Sequence, residues 1–305
     1  MPHIMLTQLN YLVKTFPYRS ALWYKIYIVI QAYDIFRGYL SIRKNLSSPP
    51  ANNRFPEQKC VIILLSHNRY RNMNLIVRSA LHNNFVSRLI VSNSNREVKI
   101  GDWIKVQDPR LELIDETQPT QPGHRFVLAK KENGDYFLSV DDDIFMTPRQ
   151  WANFFDCLVE NPEIPHGLTG NDYQPGQISS NGSPFHQVTE VNQNTDTLIG
   201  AFAFTRQHLE RLFQLATFLN LPDLSLVRNG EDILLSFAGL GKPQIHDLGP
   251  IWTCASNGLP GVALWQTHLD FWDERIRLFE ATQTVRIAMD EPWKEETSTH
   301  SLRHE

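Results

Sequence analysis

From Cys60 onward the chain alternates short apolar runs with amphipathic segments. Cys60–Leu65 (CVIILL) is continuously apolar, the pattern of a strand buried on both faces. Arg71–Leu81 then reads as a helix, Arg88–Ser92 as a second strand and Leu111–Ile114 as a short third. Gln121–Lys131 is helical in pattern, and Asp135–Val140 (DYFLSV) is another buried strand. Pro148 opens a helix through Val159, since proline suits a first helical position. Strand–helix alternation at these lengths predicts an α/β fold, with a mixed, mostly parallel sheet flanked by helices. Asn171–Asn194 is rich in Gly, Pro, Ser, Asn and Gln and reads as a long loop or irregular hairpin.

The first 48 residues follow a different pattern. Leu22, Ile26, Val29, Tyr33, Phe36 and Leu40 recur at three- and four-residue steps, predicting an N-terminal amphipathic helical extension. Its longest uncharged run, Ile26–Tyr33, is eight residues, where a membrane-spanning helix needs roughly 20. Lys14, Arg19, Lys25, Arg37, Arg43 and Lys44 stand against one acid, Asp34, so residues 1–48 carry +5 of a chain whose net charge is −4. Trp23, Tyr24, Tyr27 and Tyr33 among these cations suit either an anionic membrane surface or packing on the following domain. The turn-prone string from Asn45 to Asn53 separates this extension (1–48) from a domain over 56–285 and an acidic tail over 286–305.

Composition narrows the classes further. At 305 residues, 42% hydrophobic and 20% charged, the chain is globular rather than disordered. An acidic balance argues against nucleic acid as a partner. Three cysteines (Cys60, Cys157, Cys254) without a CxxC pair exclude a cysteine-held zinc and suggest a reducing, cytoplasmic setting.

The chemistry concentrates at Asp141-Asp142-Asp143, directly after the strand DYFLSV. Strand ends of α/β sheets are where ligands bind, and adjacent carboxylates call for a cation. Oxygen ligands suit Mn2+ or Mg2+, and a divalent ion bridging one or two of these acids to a diphosphate accounts for the cluster. Continued alternation places Asp141 and Asp143 on one side and Asp142 on the other. The bland alternative is a solvated acidic loop that caps the helix at Pro148.

A strand ending in VDDDIF resembles the DxD motif of nucleotide-sugar glycosyltransferases with the GT-A (nucleotide-diphospho-sugar transferase) fold. Leu198–Phe204 with the following helix, the Gly230-Glu-Asp segment and His124-Arg-Phe126 are similar to elements of the exostosin-type branch, as are Ser256-Asn-Gly258 and the His268, Arg275, Phe279 spacing. His124 stands where that branch carries Asn, and Gly230 where Cys is common. The resemblance implies Asp143, with Asp141 and a further ligand in His268, on the metal. It implies Arg69, Asn93, Arg125, Asp141, Asp142 and Arg275 around the nucleotide sugar, Arg275 as a diphosphate clamp. Asp232 would stand near the anomeric carbon and Glu231 beside the acceptor hydroxyl, although acids opening a helix at 230–239 also suit the helix dipole. Arg275 and His268 are both expected on one helix over 265–283.

The activity so implied is transfer of a hexose or N-acetylhexosamine from a nucleotide (UDP) sugar to a glycan or lipid-linked acceptor. Two other classes compete. A nucleotidyltransferase also uses strand-end acids, but the chain has neither GxxxxGK nor GxGxxG. A non-catalytic carbohydrate-binding protein could use Trp103, Trp151, Trp252, Trp265 and Trp272 as platforms, but has no use for both acidic motifs.

Overall fold

The computed structural model describes residues 21–46, 53–179, 182–190, 192–221, 223–259 and 262–299. The basic positions Lys14 and Arg19, most of the predicted linker and the end of the acidic tail lie outside the described residues. The chain is a mixed α/β protein, and its contacts divide it into two compact units that interleave along the sequence. The first comprises residues 1–117, 140–156 and 248–271, and the second 118–139, 157–247 and 272–305.

The first unit is built on the parallel strands β1 (Cys60–Ser66), β2 (Val86–Asn93) and β3 (Leu111–Asp115), in the order β3-β2-β1. Ile62 pairs with Leu89 and Leu64 with Val91, and all four are buried, as the continuous apolar run requires. Helix α1 (Ala21–Leu46) and α2 (Met73–Leu81) pack in this unit. The α1 backbone passes so close to Phe145 that a Cβ on Gly38 would meet the ring at 2.7 Å, which explains a glycine inside a long helix. Two short strands, β5 (Ile144–Phe145) and β10 (Trp252–Thr253), pair antiparallel and carry the chain back toward α1.

The second unit holds most of β4 (Tyr136–Val140), then β6 (His166–Tyr173), β7 (Phe185–Gln187), β8 (Thr197–Thr205) and β9 (Gln244–Ile245). Their order is β4-β8-β6-β7, with β9 beside β6. The polar stretch after Asn171 resolves into an irregular hairpin, since β7 pairs antiparallel with the end of β6. Helix α3 (His124–Lys131) and helix α4 (Pro148–Glu160), which runs on from the first unit, match their predicted positions within three residues. Helix α5 (Arg206–Phe218) opens on a capping box. The Thr205 hydroxyl accepts from the His208 amide at 3.3 Å, and the His208 ring accepts from the Thr205 amide at 3.1 Å.

The acidic helix α6 (Glu231–Ser236) is only six residues long. Its N-cap, Gly230, has φ of +92°, and a Cβ there would meet Leu278 at 2.3 Å. The left-handed φ calls for glycine, and any Cβ there would also displace the Leu278 side chain. The predicted helix over 265–283 is broken in two: α7 (Leu264–Thr267) ends at His268, and α8 (Phe271–Thr299) begins after a short turn. Both ends are marked by the chain itself, since the His268 amide bonds back to Leu264 and Asp273 and Glu274 favour a helix start.

Candidate functional site

The three acids do not continue the strand. β4 stops at Val140, and the Ile144 amide donates to the Asp141 carbonyl at 3.2 Å, closing a turn. A turn abolishes strand alternation, so Asp142 and Asp143 converge on one cation instead of pointing to opposite sides. Arg69 Nη1 lies 3.3 Å from Asp142 Oδ1 and 3.8 Å from Asp143 Oδ2. Burial opposes the charge on Arg69, and Asp142 and Asp143 outweigh it. Burial likewise pushes the Asp143 carboxyl above its ordinary range, against the pull of the same guanidinium.

Around this cluster the first unit supplies a frame of amides. Asn257 donates to Asp143 Oδ2 and accepts from Arg69. Asn72 donates to the Asp142 carbonyl at 2.8 Å and approaches Cys254 Sγ at 3.4 Å. The Cys254 amide donates to the Asp143 carbonyl at 2.9 Å. Asn257 sits on a 3₁₀ turn, Ala255–Gly258, whose first two amides donate to the carboxylate of Asp34 at 2.7 and 3.0 Å. Asp34 comes from α1, is fully buried, and has its carboxyl pushed upward by burial against those two hydrogen bonds. Tyr27 of the same helix lies in the field of Arg69 and Asp142. Asp34 and Tyr27 were not singled out from the sequence as site residues. The one available signal was that Asp34 is the lone acid among 48 residues of basic, apolar chain.

We expect Asp34→Asn to leave one of the two turn amides without an acceptor. The loss should be about 1–3 kcal/mol, the usual penalty for one unsatisfied buried amide. A urea-unfolding midpoint measures it.

The cluster fits a metal brought by its ligand rather than an all-protein cage. Among the described residues no three His, Cys, Asp or Glu side chains assemble to hold an ion. His268 therefore does not join Asp141 and Asp143 in such a group. Mg2+-type sites commonly use one or two carboxylates and take the rest from phosphate and water, and Asp142 with Asp143 offers that number of carboxylates. Beside them Ser66 Oγ, Arg69 Nε and Asn72 Oδ1 are buried yet find no hydrogen-bond partner among the described residues. Orphaned polar atoms at a strand end suit a polar ligand.

Asn93 is placed differently. It is 1% exposed, and its amide donates to Asn95 O, Val98 O and Asp115 Oδ1 at 3.1, 2.7 and 2.8 Å while accepting from the Asn95 amide. The side chain is spent on building its own loop.

The second unit has its own buried charge cluster. Arg275 donates to Asp232 through two parallel bonds of 2.9 and 2.8 Å, and Asn229 accepts a weaker third at 3.3 Å. Burial opposes the Arg275 charge, and Asp232 outweighs it. Arg275 and Asp232, 43 residues apart in sequence, thus form one unit rather than a clamp and a free carboxylate. Arg125 is also buried: it donates to Ser139 Oγ and the Pro122 carbonyl, each at 3.2 Å, and its guanidinium stands 5.0 Å from the Phe202 ring centre. Glu231 lies within the field of both arginines, but burial and the adjacent Asp232 dominate and raise its carboxyl to about 8. Both causes favour its protonated form.

Among the described residues three of the five candidate tryptophans pack on different aromatic partners, and Trp265 is exposed. Trp103 packs on Tyr70, Trp252 on Tyr33, and Trp272 on Phe185, while Trp151 is fully buried.

No family model and no curated protein matches the chain. Among solved structures, the mannosyltransferase PcManGT from Pyrobaculum calidifontis in complex with GDP-Man and Mn2+ is similar at 13% identity and a TM-score of 0.43, over 80% of this chain and 67% of that one. GalNAc-T7 with UDP, GalNAc and Mn2+ is similar at 12% identity and 0.43, over 65% of this chain and 42% of that one. CMP:2-keto-3-deoxy-manno-octonic acid synthetase complexed with CTP follows at 12% and 0.34, over 52% and 78%. Likeness at this level carries no argument about the site, whose chemistry rests on its own geometry.

Proposed function

We propose that the chain is a metal-dependent glycosyltransferase of the GT-A type. It would move a hexose or N-acetylhexosamine from a nucleotide sugar, UDP-linked in the first instance, to a glycan or lipid-linked acceptor. The observation that carries this reading is the convergence of Asp142 and Asp143 on one guanidinium at a strand end, beside buried polar atoms that find no partner among the described residues. Asp142 and Asp143 would hold Mn2+ or Mg2+ together with the diphosphate. When bound, the ion neutralises negative charge developing on the departing nucleotide. Arg69 lies among the same carboxylates and supplies a fixed positive charge for the phosphates. Asn257, braced through its turn by Asp34, keeps Asp143 and Arg69 in register.

In the second unit, Asp232 would stabilise positive charge at the sugar carbon as one unit with Arg275, which fixes its orientation through both carboxylate oxygens. Glu231, with its proton affinity raised to about 8, is tuned near the range where a carboxyl exchanges protons efficiently at physiological pH. In its ionised form, which appears as pH rises toward that value, it would accept the proton of an acceptor hydroxyl.

Calorimetry of UDP binding with Mn2+ and with chelator tests the reading. The wild-type chain should bind UDP only with the metal, and Asp143→Ala should lower affinity by at least about 10-fold and erase the metal dependence. Chelator-independent binding in the wild type overturns the metal reading. Slow hydrolysis across a panel of UDP-sugars then identifies the donor.

A further inference from the structure

Helix α1 has two faces of opposite character. Ile30, Gln31, Asp34, Gly38 and Ile42 are buried in the first unit, and Ile30 packs with Leu259, Tyr27 and Val262. On the other side Ile28 is 42% exposed, Val29 68%, Phe36 57% and Tyr39 44%. At 3.6 residues per turn these four positions fall on one stripe, together with exposed Ala32, Lys25 and Arg43. Of twelve large apolar side chains exposed among the described residues, four lie on this stripe. Single exposed apolar residues are ordinary, but a contiguous row marks a contact surface.

The charges say what the contact is. Lys25 and Arg43 stand on the stripe, and the only acid of residues 1–48, Asp34, is buried on the opposite face against the Ala255 and Ser256 amides. An apolar row with cations and no acid suits an anionic, apolar interface. A second copy of the helix fits poorly, because antiparallel pairing about a two-fold axis would set Lys25 against Arg43 of the other copy. Among the described residues no helix is long and apolar enough to cross a membrane.

We propose that α1 docks the protein on an anionic membrane surface. Ile28, Val29, Phe36 and Tyr39 enter the headgroup boundary, and Lys25 and Arg43 contact lipid phosphates. The helix is thus two-sided: one face builds the first unit and the other meets lipid. This inference does not rest on the transferase reading.

The test is flotation of the full-length chain with vesicles of phosphatidylcholine alone and of phosphatidylcholine mixed with phosphatidylglycerol. The chain should float with the anionic vesicles and not with the neutral ones. Val29→Asp with Phe36→Asp should abolish flotation at an unchanged melting temperature, since both side chains are exposed. Lys25→Ala with Arg43→Ala should weaken binding roughly 30-fold, the scale for two cations leaving an anionic surface. This second variant removes no buried group and decides the matter if the aspartate pair unfolds the protein. Absence of flotation, equal binding to both vesicles, or binding that survives the variants overturns the proposal. A lipid-free dimer in ultracentrifugation that Val29→Asp with Phe36→Asp dissolves would assign the face to a second copy instead.

Discussion

Asp232→Asn should destabilise the chain by about 3–5 kcal/mol, the range for removing one partner of a buried ion pair. The helix-start reading of Asp232 predicts much less, because an amide at a helix N-terminus costs about 1 kcal/mol or less. The difference lies in Arg275, which makes both short bonds of the pair to Asp232 from inside the second unit. An uncharged amide leaves that guanidinium buried with its partner's charge removed. For a domain of this size the melting temperature should fall by roughly 10 °C. Asp232→Leu with Arg275→Met should recover most of that stability, since an apolar pair of similar volume replaces both charges. Recovered stability without turnover would separate the carboxylate's chemical role from its structural one. Full activity in the double variant would remove Asp232 from the chemistry altogether.

The same pair shows what the sequence could and could not reveal. β1 was legible because a strand buried on both faces must be apolar throughout, and CVIILL is. Position at a strand end was equally legible for the three acids. Their mutual geometry was not, because a single hydrogen bond from Ile144 to Asp141 decides between strand and turn. The meeting of Asp232 with Arg275 depends on two helices far apart in sequence, which no local period encodes. Helix α1 misled in a different way. Its buried face carries Gln31 and Asp34 while its exposed face carries Val29 and Phe36, so polarity and burial do not coincide. Asn93 is the converse case: an amide at a strand end suits a ligand or its own loop equally, and the loop takes all of it.

Glu231→Gln should reduce turnover by at least ~10²-fold, the usual contribution of a positioned proton-transfer group. Stability should respond in the opposite sense to pH, and the direction follows from the shift. Burial and Asp232 raise Glu231 from an ordinary carboxyl value of 4.5 to about 8 in the folded chain. Between those values the unfolded chain has released this proton and the folded chain still holds it. Folding then takes up a proton, so the contribution of Glu231 to stability is full below pH ~4.5 and declines as pH rises through about 8. Wild-type melting temperature should accordingly fall across this window, and Glu231→Gln, which cannot ionise, should flatten that part of the profile. If Glu231 accepts the acceptor's proton, turnover should rise over the upper part of the same window as the carboxylate appears. Because Asp232 is adjacent, the apparent midpoint belongs to the pair rather than to Glu231 alone. The proposed role therefore demands activity gained and stability lost through one titration, and both must vanish in one variant. A rate profile that falls with pH would make Glu231 a proton donor, and one that ignores pH near 8 would leave it a buried acid with no part in the chemistry.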